Sequence, residues 1–175
     1  MSRILIPFVV FLFLALEGTL FQLIVPSPFT SDLVVVPRFL AVLIMFIGLG
    51  FGRLNSITYG LVFGILYDIV YTQILGVYAF GFAFIGYMFV VRSRLVQDSL
   101  LIKLVLILFA IAFIEFYQYG LYQLIGITQL PIDVFINERL FPSVVVNSAF
   151  AILIYYPLTM LFAYVKKEAR LRARL

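Results

Sequence analysis

Residues 54–91 read LNSITYGLVFGILYDIVYTQILGVYAFGFAFIGYMFVV, and this stretch decides the fold. It consists of two apolar runs joined at Thr72-Gln73, each carrying small residues on one face. Gly60 and Gly64 stand four apart ahead of Tyr67-Asp68, while Gly76, Ala79, Ala83 and Gly86 make a stripe on the second run. That spacing is helical. Small residues let helix backbones approach each other in lipid, where no hydrophobic force drives them together. The stretch therefore predicts a helical hairpin within a membrane. Asp68 is costly there and needs a reason.

The composition extends this reading to the whole chain. Of 175 residues, 65% are hydrophobic and 11% charged, with a mean hydropathy of +1.21. Soluble domains carry roughly a quarter charged residues, so one integral membrane domain over residues 1–175 is expected. Cysteine and histidine are both absent. That removes thiolate chemistry and imidazole bases or ligands. Phosphate-binding loops and zinc spacings are missing as well. No metal, cofactor or nucleic-acid partner is expected. The apolar N-terminal stretch is too long for a signal core and lacks a small-x-small cleavage site, so it reads as a retained first helix.

Six spans fit the apolar pattern, at about 4–25, 33–51, 55–72, 75–91, 101–125 and 141–164. Boundaries fall at Pro26 and Pro28, at Arg53-Leu54-Asn55, at Thr72-Gln73 and at Arg92-Ser93-Arg94. Pro142 suits the first turn of the last helix, and Pro157 should kink it. With an even number of crossings, one side collects Arg3, Arg53, Arg92, Arg94, Lys103, Lys166, Lys167, Arg170, Arg172 and Arg174. The other side holds only Arg38 and Arg139. The bias places both termini in the cytoplasm. The expected fold class is an all-α polytopic bundle of six transmembrane helices.

Placing the ionisable groups by depth, at about 1.5 Å per residue, puts Glu17, Asp68 and Glu115 at a similar height on ascending helices. Arg38 and Asn147 lie on descending helices, roughly 8–9 Å below their outer ends. These five groups should form one polar layer in the outer leaflet. Glu115, Gln118, Tyr119 and Tyr122 share a helix face. Three carboxylates do not balance one guanidinium, so either some acids are protonated through desolvation, or water or a partner's cation supplies the rest. Arg38 is the expected hub, its fork able to hold two carboxylates. A structural network is the favoured reading over a ligand or partner site, and a proton path has no continuation toward the cytoplasm. For Gly60, Gly64, Gly76, Ala79, Ala83 and Gly86, and for the Gly48/Gly52 pair, packing within the bundle is favoured over docking of a partner helix. The basic stretch from Lys166 to Leu175 should be helical and touch anionic lipid headgroups. Residues 126–140 read as an outer, surface-lying segment.

These residues resemble the MreD family, the small multispanning subunit of the bacterial rod-shape machinery, in its Gram-positive form. The likeness rests on Tyr59-Gly60-x-x-x-Gly64-x-x-Tyr67-Asp68, Leu75-Gly76-Val77-Tyr78 and Gly86-Tyr87. Pro37-x-Phe39-Leu40, Glu115-Phe116-Tyr117, Arg139-x-x-Pro142 and Lys166-Lys167-Glu168 add to it in order along the chain. A charged residue at position 38 departs from the family pattern. The resemblance implies a non-enzymatic scaffold in the bacterial plasma membrane that binds MreC, works with RodA and its transpeptidase in lateral peptidoglycan synthesis, and has MreB as a further partner. It carries over no catalytic residues.

Two other readings compete. Bundles of this form resemble the vitamin-capturing S-components of energy-coupling-factor transporters, which dock through an Ala-x-x-x-Ala face on the first helix. Here Ala15 is flanked at that spacing by Phe11 and Thr19. A small intramembrane enzyme would need clustered metal-binding acids, and Asp68 and Glu115 stand on different helices.

Overall fold

The computed structural model describes residues 2–24, 34–91 and 93–172, and among these every regular element is helical. The helices are α1 (Ser2–Ile24), α2 (Phe39–Phe51), α3 (Arg53–Tyr71), α4 (Val77–Met88), the short α5 (Arg94–Asp98), α6 (Leu100–Leu124), the single turn α7 (Ile132–Val134) and α8 (Phe141–Arg172). Val25, Pro26, Pro28, the residue at 33, Arg92 and Arg174, used above to mark boundaries and charge bias, lie outside the described residues.

By length and composition, three helices can cross a membrane: Arg53–Tyr71, Leu100–Leu124 and the continuous Ile132–Leu171. Ile4–Thr19, Phe39–Phe51 and Val77–Met88 are shorter apolar helices. α2 sits at the centre, buried from Phe39 to Leu49 and packed against α1, α3, α4, α6 and α8. Such all-round burial suits a helix that is apolar on every face.

Three expected boundaries move, each for a local reason. The second span does not begin as a helix at 33, because Val34–Arg38 is non-helical. Pro37 steers Val36 away from helical angles, and Arg38 enters α2 with φ −129° and ψ 42°. The fourth helix starts at Val77 rather than 75, since Gly76 adopts φ +98°, a conformation that suits glycine. Residues 126–140 are not wholly a surface segment. After α7, a π-helical turn over Phe135–Leu140 runs directly into α8. Pro142 lacks the N–H that an α-helical bond would use, and a wider turn just ahead of it accommodates that loss. The helix then continues through Pro157 to Arg172.

α3 and α4 form the tightest pair. A Cβ on Gly60 would stand 2.7 Å from the Phe82 carbonyl carbon, and one on Gly64 only 2.5 Å from the Ala79 Cα. Gly86 is pressed against Ser56, whose Oγ stands 2.6 Å from where a Cβ would lie. The hairpin therefore closes backbone against backbone. Gly76 is different: nothing lies within 4 Å of its Cβ position, and its role is the turn. Gly52 is likewise a turn residue, with φ +104° between α2 and α3, whereas Gly48, expected on the same small-residue face, lies against Val90 and Ser56.

Candidate functional site

The C-terminal ends of α1, α3 and α6 meet the N-terminal ends of α2, α4 and α8, and all five polar residues expected in the outer layer lie there. Glu17, Arg38, Asp68, Glu115 and Asn147 are buried, the most exposed of them at 2%. They do not form one cluster around Arg38.

Asp68 is a helix cap supplied from a neighbouring helix. Its Oδ1 accepts from the Tyr78 N–H at 2.9 Å, and its Oδ2 from the N–H groups of Gly76 at 2.9 Å and Ala79 at 3.1 Å. These are the amides that the first turn of α4 leaves without a helical partner. Glycine at the cap position has no side chain to satisfy them, so the carboxylate does, and the helix dipole favours its negative charge. The Tyr67-Asp68 and Leu75-Gly76 motifs are two halves of one cap.

Glu17 does the same for α2. Its Oε2 accepts from the Leu40 N–H at 2.9 Å and its Oε1 from the Tyr67 hydroxyl at 3.2 Å. Two of the three acids are thus satisfied by helix starts, and the excess of carboxylates over guanidinium groups needs no further cation for them.

Glu115 accounts for the rest, with the expected roles reversed. Arg38 does not hold two carboxylates; Glu115 holds two guanidinium groups. Its Oε1 accepts from Arg38 Nε at 2.6 Å and its Oε2 from Arg139 Nε at 3.1 Å. Arg38 completes its fork with Nη1 to the Tyr78 hydroxyl at 2.8 Å and Nη2 to the Gln118 side-chain carbonyl. Charge-assisted bonds of this kind are the strong ones. Burying them is tolerable because every charge meets an opposite charge or dipole.

Asn147 secures the non-helical segment before α2. Its Oδ1 accepts from the Arg38 N–H at 2.7 Å and its Nδ2 donates to the Val36 carbonyl at 2.9 Å, while Ser143 Oγ accepts from the Val36 N–H at 2.9 Å. The Val34 N–H reaches the Glu138 carbonyl at 2.7 Å. Non-helical backbone at membrane depth survives only when such partners replace water.

Several participants escape a reading by hydropathy. Tyr67 and Tyr78 stack with centroids 4.2 Å apart and link the Glu17 cap to Arg38. Gln118 joins the network from Glu115's face, but Tyr119 bonds the Leu130 carbonyl at 2.8 Å and stacks on Phe135 instead. Arg139 belongs to the site rather than to a surface loop. Its signal was the four-residue spacing of Arg139, Ser143 and Asn147, visible only if the helix begins before Pro142.

An open cavity of about 480 Å³ borders this network, lined by Glu17, Arg38, Arg139, Tyr67, Tyr71 and Tyr78 among others. The arrangement can lock six helix ends in one register, and its cavity can admit a polar group.

Residues 2–165 match the family model described as rod shape-determining protein MreD. The rod shape-determining protein MreD of Bacillus subtilis (strain 168) is 33% identical over 171 residues, covering 97% of this chain and 99% of the relative. No solved structure matches. Nearly the whole chain is accounted for by these matches, and it belongs to the MreD family of rod shape-determining proteins.

Proposed function

We propose that this chain is a non-enzymatic, six-span scaffold of the bacterial plasma membrane, a single domain with both termini cytoplasmic. In this reading it binds MreC and supports RodA and its transpeptidase in lateral peptidoglycan synthesis, with MreB as the more distant cytoplasmic partner. The interlocked polar end is the observation that carries the proposal. Glu17, Asp68 and Glu115 have their oxygens engaged in joining helix to helix, which is the use a scaffold makes of buried charge. Outward, α1 presents Phe8, Phe11 and Leu12, and α8 presents Ile152, Leu153 and Tyr156, surfaces that lipid or a partner helix covers. The opposite end holds Arg53, Arg94, Lys103 and Lys166, in keeping with a cytoplasmic placement.

Two measurements test the proposal. Co-expression with MreC from the same organism, followed by purification into nanodiscs, should give co-elution; separate elution in both detergent and nanodiscs would overturn partner binding. The natural chain has no cysteine, so single-cysteine variants report topology cleanly. In intact protoplasts, Gln129→Cys should react with a membrane-impermeant maleimide and Ser2→Cys should not. The reverse pattern would invert the bundle, and reaction of both would deny the odd number of crossings that the proposal puts between residues 2 and 129.

A further inference from the structure

From the cavity beside the ion-pair network, we infer a binding site for the phosphate headgroup of an anionic phospholipid. The argument begins with Arg139. Its Nε is held by Glu115, and its side chain is 28% exposed. A guanidinium has five N–H donors, yet among the described residues Nε alone makes a hydrogen bond. The same side chain lines the cavity. Arg38 and Arg139 balance Glu115 and Glu17 in charge, but both Glu17 oxygens are already engaged by Leu40 and Tyr67, whereas Arg139 keeps unbonded N–H groups. Toward the cavity the network therefore offers guanidinium donors and the positive charge local to Arg139.

Size and setting identify the anion. At about 480 Å³ the space falls within the range of small-molecule sites, roughly 300–1,000 Å³. A guanidinium fork matches phosphate geometry, and the hydroxyl-bearing rings of Tyr67, Tyr71 and Tyr78 share the wall. Ala15, Val34 and Pro37 make other parts of the lining apolar. The same turns of α1 and α3 expose Leu16, Ile69 and Val70, so acyl chains leaving the cavity have an apolar surface to follow. Free phosphate would use the donors but not that surface.

Native mass spectrometry of the purified full chain tests the site, with phosphatidylglycerol and phosphatidylcholine of matched acyl chains offered in turn. The wild type should retain phosphatidylglycerol about tenfold better: both lipids offer Arg139 a phosphate, but phosphatidylcholine also brings a quaternary ammonium beside two guanidinium groups, a like-charge cost of about 1–2 kcal/mol. Arg139→Gln should abolish the preference. Ala15 is exposed at the cavity rim, so Ala15→Trp should fill the space and abolish the preference while leaving every ion pair intact. That second variant keeps the test decisive if Arg139→Gln folds poorly. Equal retention of the two lipids by the wild type, or a preference that survives Ala15→Trp, overturns the inference. Displacement of phosphatidylglycerol by millimolar inorganic phosphate would overturn the lipid assignment. Loss of MreC co-elution in Ala15→Trp, with lipid retention unchanged, would give the cavity to a protein partner instead.

Discussion

The two ends of this bundle hold the same kinds of cation in opposite ways. At the polar end, Arg38 is buried with its guanidinium bonded to Glu115, Tyr78 and Gln118. At the other end, Arg53 lies over the Tyr87 ring at 5.2 Å, Lys103 over Tyr155 at 5.5 Å and Lys166 over Phe51 at 5.1 Å. Those charged heads lie over aromatic faces while Arg53 and Lys166 stay exposed, a cation–π arrangement that keeps the cation in contact with water. Buried charge is specific, because each group needs one partner at one position. Interfacial charge is interchangeable, because any nearby lysine does the same work on topology and on lipid. The first kind sets helix register; the second sets orientation.

The sharpest way to break this contrast is Glu115→Gln. It leaves Arg38 and Arg139 without the carboxylate bonded to both, and removing one partner of a buried pair costs about 3–5 kcal/mol. Thermal unfolding of the purified protein should drop steeply. A change no larger than that of an interfacial lysine variant would mean that the polar end is wet and the contrast false.

Gly64→Leu attacks the same register through packing rather than charge. With the Ala79 Cα 2.5 Å from the position of a Cβ, the α3–α4 backbones must part. Overpacking of this kind costs about 1–3 kcal/mol. Because this face is closed inside the hairpin, stability and MreC co-elution should fall together. Loss of co-elution with unchanged unfolding would move the face from the interior to a docking surface.

Asp68→Asn comes next. Asparagine keeps one acceptor for the first turn of α4 but turns an amide donor toward N–H groups that also donate. A lost cap costs about 0.5–2 kcal/mol. Hydrogen exchange should rise at Gly76, Tyr78 and Ala79 before it rises elsewhere. Uniform acceleration through the bundle would show that Asp68 serves more than its own cap.

Why Asp68 is in the membrane at all was only half legible in the sequence. Its cost, its depth and its neighbours Tyr67 and Gly76 are plain in the residues. The identity of its partners is not, because backbone N–H groups carry no signature in a side-chain pattern. The same limit explains Glu17, whose acceptors face Leu40 and Tyr67 across two helix interfaces. Apolar length made the helices legible, and small-residue spacing made the α3–α4 contact legible at Gly60 and Gly64. Helix starts were harder. Pro142 looks like a first-turn proline, which hid Arg139 from its own helical face, and the apolar run of Val34, Val35 and Val36 masked the break that Pro37 makes before α2. Depth along a helix follows from counting residues, but pairing between helices depends on rotation, which hydropathy does not record.

Lys103→Met should have the smallest effect, and it sharpens the contrast. Methionine keeps an apolar stem beside Tyr155 while removing the ammonium and its bond to the Gln97 carbonyl at 2.7 Å. An interfacial cation over a ring contributes about 0.5–1 kcal/mol, so the unfolding midpoint should shift by about 1–4 °C. Salt then separates the two ends. Charges in contact with water are screened within about 8 Å at physiological ionic strength, while buried pairs are screened far less. Raising salt should erase the small difference between Lys103→Met and the wild type and leave the deficit of Glu115→Gln nearly intact. If both deficits shrank in parallel, water would reach Glu115 as readily as Lys103, and the two ends would differ in residue count rather than in physics.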